Sequence, residues 1–299
     1  MNNGRAEQSD ETRVRPEDET SNRQASKAKA DGRQSGSATA AILKLSTSAR
    51  LLGKCNRRED YEPILKRMLG EMDVLMASLA AENPGAVNPL VSALKELIRD
   101  LCKAPELVNP SPLRTIAHAL DFLRASVGSR CHLDELERAP LKVLLVDDDL
   151  VCRSALAVSL RGTALAPTAC GSAREALEML RTGAFDVIFT DVLMPEMDGF
   201  QFCRQVQDLP NCLGTPIIFV TCLTDSATRS LSKFVGGCEL ITKPMTPSEM
   251  ILNALTFGLK RRVAAAKTQT VRQEGLVSRD VACLDEQGKV KSVNEERAR

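Results

Sequence analysis

The sequence predicts an α/β protein: a doubly wound, five-stranded parallel sheet over residues 141–262, preceded by a small all-α region over 39–127 and flanked by polar tails. Three observations predict it. Within 141–262, short β-rich runs alternate five times with helical patterns, the signature of parallel strands joined by crossover helices. Two of those runs, Val143–Val146 and Ile217–Val220, are continuously apolar, as strands covered on both faces must be. Before residue 128 such runs are missing, and apolar side chains recur every three or four positions instead.

Residues 1–38 are rich in Ser, Asn, Gln, Asp, Glu and Arg, with almost no large apolar side chain. A disordered tail is expected, because ordering it would cost entropy that little burial could offset. Helices follow over Ala40–Lys54, Tyr61–Ala81 and Pro89–Ala104. In the second, Met68, Met72 and Met76 extend one apolar stripe that reads as core or interface packing. Asn109-Pro-Ser-Pro112 reads as a break and restart, with Ser111 as N-cap and Pro112 as the first helical residue. These short helices suggest a small bundle, or helices packing on a partner. Residues 128–140 read as a linker.

The strand–helix units then run in order: Lys142–Val146 and a helix from about Leu150; Ala164–Ala169 and Ala173–Leu180; Asp186–Thr190 and Phe200–Gln207; Pro216–Thr221 and a helix from about Asp225; Glu239–Thr242 and Pro247–Gly258. Lys260-Arg-Arg262 is placed to complement the negative end of that last helix. Residues 263–299 read as a mostly disordered tail, with a short hairpin over Val281–Val293 around Glu286-Gln-Gly288.

Composition narrows the function. With 40 Lys+Arg against 39 Asp+Glu, the chain lacks the basic excess of a nucleic-acid binder. Aromatics are only 3%, which leaves few faces for base stacking. Ten cysteines occur without a C-x-x-C and with only two histidines, so no clustered zinc site is indicated. Scattered thiols suit a reducing compartment. No apolar run approaches the ~20 residues that span a bilayer, and the N-terminus carries no secretory apolar core. A cytoplasmic protein without membrane contact is expected.

The polar residues that break the apolar pattern stand at the C-terminal ends of the strands, where open α/β sheets bind ligands. Strand one ends in Asp147-Asp148-Asp149, strand three in Asp191, strand four in Thr221 and strand five in Lys243-Pro244. Carboxylates held together call for a cation, and hard oxygen donors suit Mg²⁺. A lysine and a hydroxyl opposite them would hold anionic oxygens, the needs of phosphoryl transfer. No G-x-x-x-x-G-K loop occurs, so the acceptor that remains is a carboxylate.

On these residues the chain resembles the receiver domain of two-component response regulators. The segments VLLVDDD (143–149), FDVIFTDVLMPEMDG (185–199), PIIFVT (216–221) and LITKP (240–244) match its motifs in order and spacing. The resemblance implies a flavodoxin-like fold and phosphorylation of Asp191. It also implies direct Mg²⁺ ligation by Asp148 and Asp191, with Asp147 acting through water and the Leu193 carbonyl completing the set. Thr221 and Lys243 would bind phosphoryl oxygens. A histidine kinase or phosphotransfer protein is the implied donor. Output is expected by protein–protein binding to a downstream protein, through the receiver face or the N-terminal helices, rather than by conventional enzyme activity, and a homodimer is a further partner considered. Two alternatives stand beside this: a transcriptional regulator whose N-terminal helices bind DNA, and a pseudo-receiver scaffold that takes no phosphate.

Two positions depart from the family pattern. Leu240 stands three residues before the lysine, where the family often carries an aromatic, so no ring stands there to rotate in a switch. Leu193 and Leu223, two residues beyond Asp191 and Thr221, are apolar and would not position an attacking water, so slow hydrolysis is expected. Asp149 reads as an N-cap, Cys222 as a buried inert thiol, and His118 as a structural surface residue, because Asp121 one turn on would repel phosphate.

Overall fold

The computed structural model describes residues 37–55, 57–82, 89–127, 139–223 and 225–281. Four helices come first: α1 (37–52), α2 (Tyr61–Glu82), α3 (Pro89–Lys103) and α4 (Pro110–Ser126). The alternating half follows as β1 (Leu141–Val146), α5 (Leu150–Leu160), β2 (Leu165–Cys170), α6 (Ala173–Thr182) and β3 (Val187–Asp191). It continues through α7 (Gly199–Gln207), β4 (Ile217–Thr221), α8 (Ser226–Phe234) and β5 (Glu239–Thr242) to α9 (Pro247–Val281).

The strands form one parallel sheet in the order β2-β1-β3-β4-β5, the flavodoxin-like arrangement. The order in which the chain adds strands reverses between β1 and β3, so their C-terminal ends border a crevice. Side chains alternate between two cores with the period of two that strands impose. Val143, Leu145, Phe189, Val220 and Ile241 enter one core, while Leu144, Val146, Ile188, Phe219 and Leu240 enter the other.

The first core does not stop at the sheet. It is continuous with Met68, Met72, Leu94, Leu97, Ile98, Ile116 and Leu120 of the N-terminal helices, through Leu252, Leu255 and Leu259 of α9. Of these helices, α3 and α4 lie against the chain's own last helix, and α2 packs on α3. Met68 and Met72 are fully buried there and Met76 is partly so, as the stripe predicted.

Several expectations are corrected. Ala38, expected in the tail, is helical and fully buried in α1. The N-cap of α4 is Asn109, whose Oδ1 accepts from Ser111 N at 2.8 Å, and Pro110 opens the helix. Proline suits that position because it has no N–H to leave unpaired. Ser111 is thereby free to turn its hydroxyl elsewhere.

The last helix does not end at Gly258 but runs to Val281, so the expected tail is helical over 263–281. Gly258 is a contact point rather than a stop, since a Cβ there would come within 2.9 Å of Leu141 Cδ1. Lys260-Arg-Arg262 therefore caps no terminus. Arg262 instead donates to Asp186 at 2.7 Å and to the carbonyls of Ala139 and Pro140, tying α9 to the entry of the sheet. The hairpin beyond Val281, the tail before residue 37 and most of the linker (128–138) lie outside the described residues. Among the described residues no helix is long and apolar enough to cross a membrane.

Candidate functional site

The site is assembled by strand ends. Asp147 follows β1 directly, Asp191 ends β3, Thr221 ends β4 and Lys243 follows β5. Register sets them side by side: Asp191 pairs with Val220, and Thr221 with Thr242. Asp149 caps α5 as expected, accepting from Val151 N and Cys152 N. That cap turns the chain sharply after β1 and leaves Asp147 and Asp148 at the crevice. On the other side Gly199 opens α7 so close to β3 that a Cβ would stand 2.2 Å from the Asp191 carbonyl oxygen. Asp198 caps α7 in a capping box with Gln201, which fixes the loop after Asp191.

Lys243 joins the cluster. Its Nζ donates to Asp191 Oδ2 at 2.6 Å and to Asp147 Oδ2 at 3.0 Å. Burial pulls this ammonium toward its neutral form. The hydrogen bonds and charges of Asp191 and Asp147 outweigh that and hold its pKa above the ordinary lysine value. The remaining oxygens are also engaged: Asp147 Oδ1 accepts from Asp149 N at 2.9 Å, and Asp191 Oδ1 from Leu193 N at 3.1 Å. Asp148 is exposed, with no hydrogen-bond or ion-pair partner among the described residues.

One oxygen from each of Asp147, Asp148 and Asp191 lies within 4.8 Å of the others, so the three could hold a metal ion. Three carboxylates against one ammonium leave a local excess of negative charge, and all the donors are hard oxygens. That combination fits a divalent cation of the Mg²⁺ type.

The structure thus brings Asp147, Asp148, Asp191 and Lys243 into one cluster. Thr221 is placed at the same edge by register, fully buried, with Oγ1 accepting from Leu223 N at 3.1 Å. Leu193 is 59% exposed beside the cluster. Cys222 is exposed, not buried, because the strand ends at Thr221 and the chain turns outward. Two residues escape a reading of the sequence alone. Arg153 of α5 donates to the Asp147 carbonyl oxygen and lies over Gly171, steadying the turn that carries the acidic pair. Cys152 stands beside Asp147, and burial followed by that carboxylate's charge pushes its thiol up to about 11, so it remains protonated at neutral pH. Their positions one turn into the helix behind Asp149 were the available signal.

Residues 143–255 match the family model for the response regulator receiver domain. An uncharacterized 14.6 kDa protein of Leptolyngbya boryana is 34% identical over 113 residues, covering 38% of this chain and 86% of that protein. The chain belongs to the response regulator receiver family. The two-component response regulator ARR11 of Arabidopsis thaliana is 37% identical to the receiver over 114 residues, which is 37% of this chain but only 21% of ARR11. The chain therefore spans most of one relative and about a fifth of the other. Chemotaxis response regulator CheY4 of Vibrio cholerae is 32% identical, covering 40% of this chain and 99% of CheY4, with a TM-score of 0.38. The receiver motifs and the acidic cluster coincide, so this is a signalling module of two-component type.

Proposed function

We propose that the receiver accepts a phosphoryl group on Asp191 from a histidine kinase or a phosphotransfer protein and signals by protein–protein interaction rather than by turnover of a substrate. The observation that carries the reading is the Lys243 ammonium shared between Asp191 and Asp147, beside an exposed Asp148. A carboxylate oxygen of Asp191 attacks phosphorus as the donor's phosphorus–nitrogen bond breaks. The phosphoryl group becomes an acyl phosphate on Asp191, and the departing imidazole takes its proton from solvent.

Little covalent work falls to the protein, so positioning and charge neutralisation dominate. Lys243 and the Thr221 hydroxyl would hold the transferred oxygens. Mg²⁺, held by Asp148, Asp191 and the Leu193 carbonyl, with Asp147 through water, would supply positive charge against the incoming phosphoryl group. With Leu193 and Leu223 as the flanking side chains, nothing polar at those two positions orients a water for attack. The acyl phosphate is expected to persist for minutes or longer after donor removal, and loss within seconds would count against this.

Incubation of the full chain with acetyl phosphate and Mg²⁺, followed by intact mass, tests the assignment. One phosphoryl group should be gained by the wild type and none by Asp191→Asn. An unchanged wild-type mass would leave a scaffold that takes no phosphate.

A further inference from the structure

β5 is an edge strand of the sheet, and two of its backbone groups are taken up by side chains of α4. Arg114 Nη2 donates to the Leu240 carbonyl at 2.7 Å, and Thr242 N donates to Ser111 Oγ at 3.3 Å. Ser111 Oγ in turn donates to Glu249 Oε1 of α9 at 2.7 Å, so one hydroxyl joins α4 to both β5 and α9. Arg114 Nε reaches Glu239 Oε1 at 3.0 Å, and Asn253 Nδ2 donates to Thr115 Oγ1 at 2.8 Å. The residue after Thr242 is Lys243.

This seam differs in kind from the rest of the contact between the N-terminal helices and the receiver. The α3–α9 contact is largely apolar. The α4 seam is polar and incompletely paired. Among the described residues, Arg114 Nη1 and Asn253 Oδ1 are buried there without a hydrogen-bond partner. His118 Nδ1 lies 3.1 Å from Glu239 Oε2, an ion-pair distance, yet makes no well-aligned hydrogen bond. Buried polar groups are normally satisfied, so these atoms on one seam mark a contact that forgoes part of its bonding.

We infer that α4 reads the state of the Asp191 site, loosening from β5 and α9 when Asp191 carries a phosphoryl group. The inference rests on the phosphoacceptor reading above and adds the element that receives the signal. In the resting chain Lys243 Nζ is pinned between Asp191 and Asp147. Phosphorylation of Asp191 removes one of those anionic oxygens and sets new ones farther from the strand. The ammonium must re-pair outward. Lys243 directly follows Thr242, and its backbone N is held to β4 by the Thr221 carbonyl at 2.8 Å, so a pull on its side chain bears on this end of β5. The Thr242–Ser111 bond, already at the long end of hydrogen-bond range, is the first contact that cannot follow. Packed elements respond to small shifts by changing partners rather than by stretching, and α3 keeps the helices tethered while α4 lets go.

Hydrogen exchange read by mass spectrometry on the full chain, with and without acetyl phosphate and Mg²⁺, tests this beside intact mass. Amides of α4 and of the first turns of α9 should exchange about tenfold faster once the phosphoryl group is on. Asp191→Asn should show no such change. By reciprocity, Arg114→Gln should exchange faster in α4 without any donor and bind the phosphoryl mimic beryllofluoride several-fold more tightly in the presence of Mg²⁺. Should that variant fail to fold, Ser111→Ala serves the same arm. A mass gain with α4 exchange unchanged overturns the inference alone, as does equal acceleration in Asp191→Asn or unaltered beryllofluoride affinity in the seam variant. No mass gain overturns the phosphoacceptor reading and the inference with it.

Discussion

At the scale of single residues, two ionisable side chains do opposite things with burial. Lys243 is half-buried but paired, so its charge is stabilised by the carboxylates it separates. Removing that charge separates two roles. In Lys243→Met the acidic cluster loses the cation it pairs with, so calorimetric titration should show Mg²⁺ bound about three- to tenfold more tightly. Gain of phosphate from acetyl phosphate should slow by about tenfold or more, because the ammonium no longer neutralises the transferred oxygens. Weaker Mg²⁺ binding would show that Lys243 orders the carboxylates rather than competing with the ion. Glu249 is the contrary case. It is 3% exposed, and burial pushes its carboxyl up to about 7 although Ser111, Thr115 and Arg114 act to lower it, while Glu239 adds repulsion. The folded chain holds this proton more tightly than the unfolded chain, whose value is near 4.5. The group's contribution to stability is therefore complete below about pH 4.5 and is lost as pH rises through about 7, by up to about 3 kcal/mol. Urea titration at about pH 5 and about pH 8 should show this fall in the wild type and a flattened profile in Glu249→Gln, which stays neutral throughout. A slope equal in both would assign the pH dependence to other groups.

At the scale of elements, the junction of β3 and α7 sets the site. Gly199→Ala forces a methyl into the Asp191 carbonyl oxygen, 2.2 Å away, so β3 or α7 must move. A loss of roughly 2–4 kcal/mol by chemical denaturation is expected, together with weakened Mg²⁺ binding. Full stability in that variant would mean the loop after Asp191 is looser than its capping box implies. The same elements show what a sequence discloses. Five strands and the ends that carry Asp147, Asp148, Asp191, Thr221 and Lys243 were legible, because an apolar run that stops abruptly at a polar residue suits a strand covered on both faces and ending at the sheet rim. Asp149 was legible as a cap for a local reason, two backbone N–H groups within its reach. What failed depended on contacts distant in sequence. Gly258 looks like a helix stop until Leu141 is seen against it. Ser111 looks like a cap until Glu249, far along the chain, claims its hydroxyl. The apolar stripes of α2, α3 and α4 announced a buried face without naming what buries it. Arg114, which ties α4 to the sheet edge, carries no pattern that a sequence could reveal.

At the scale of the whole molecule, the sheet and the N-terminal helices share one apolar core through α9. Leu252, Leu255 and Leu259 belong to a helix that meets β1 and β3 of the sheet and also α3 and α4. Removing residues 37–127 would expose a contiguous apolar face of α9 together with the β5 edge, both liabilities for a soluble sheet. Cooperativity follows from the same geometry, because neither half can lose its packing without uncovering the other. The full chain should therefore unfold in a single calorimetric transition whose van't Hoff and calorimetric enthalpies agree. A fragment spanning 139–281 should unfold at a temperature several degrees lower and associate at concentrations where the full chain stays monodisperse. Phosphorylation, by loosening α4, should lower the full chain's transition toward that of the fragment without splitting it, because the apolar α3–α9 contact remains. Two resolved transitions in the unmodified chain would mean that the shared core is too weak to couple the halves, and the tether assigned to α3 would fall with it.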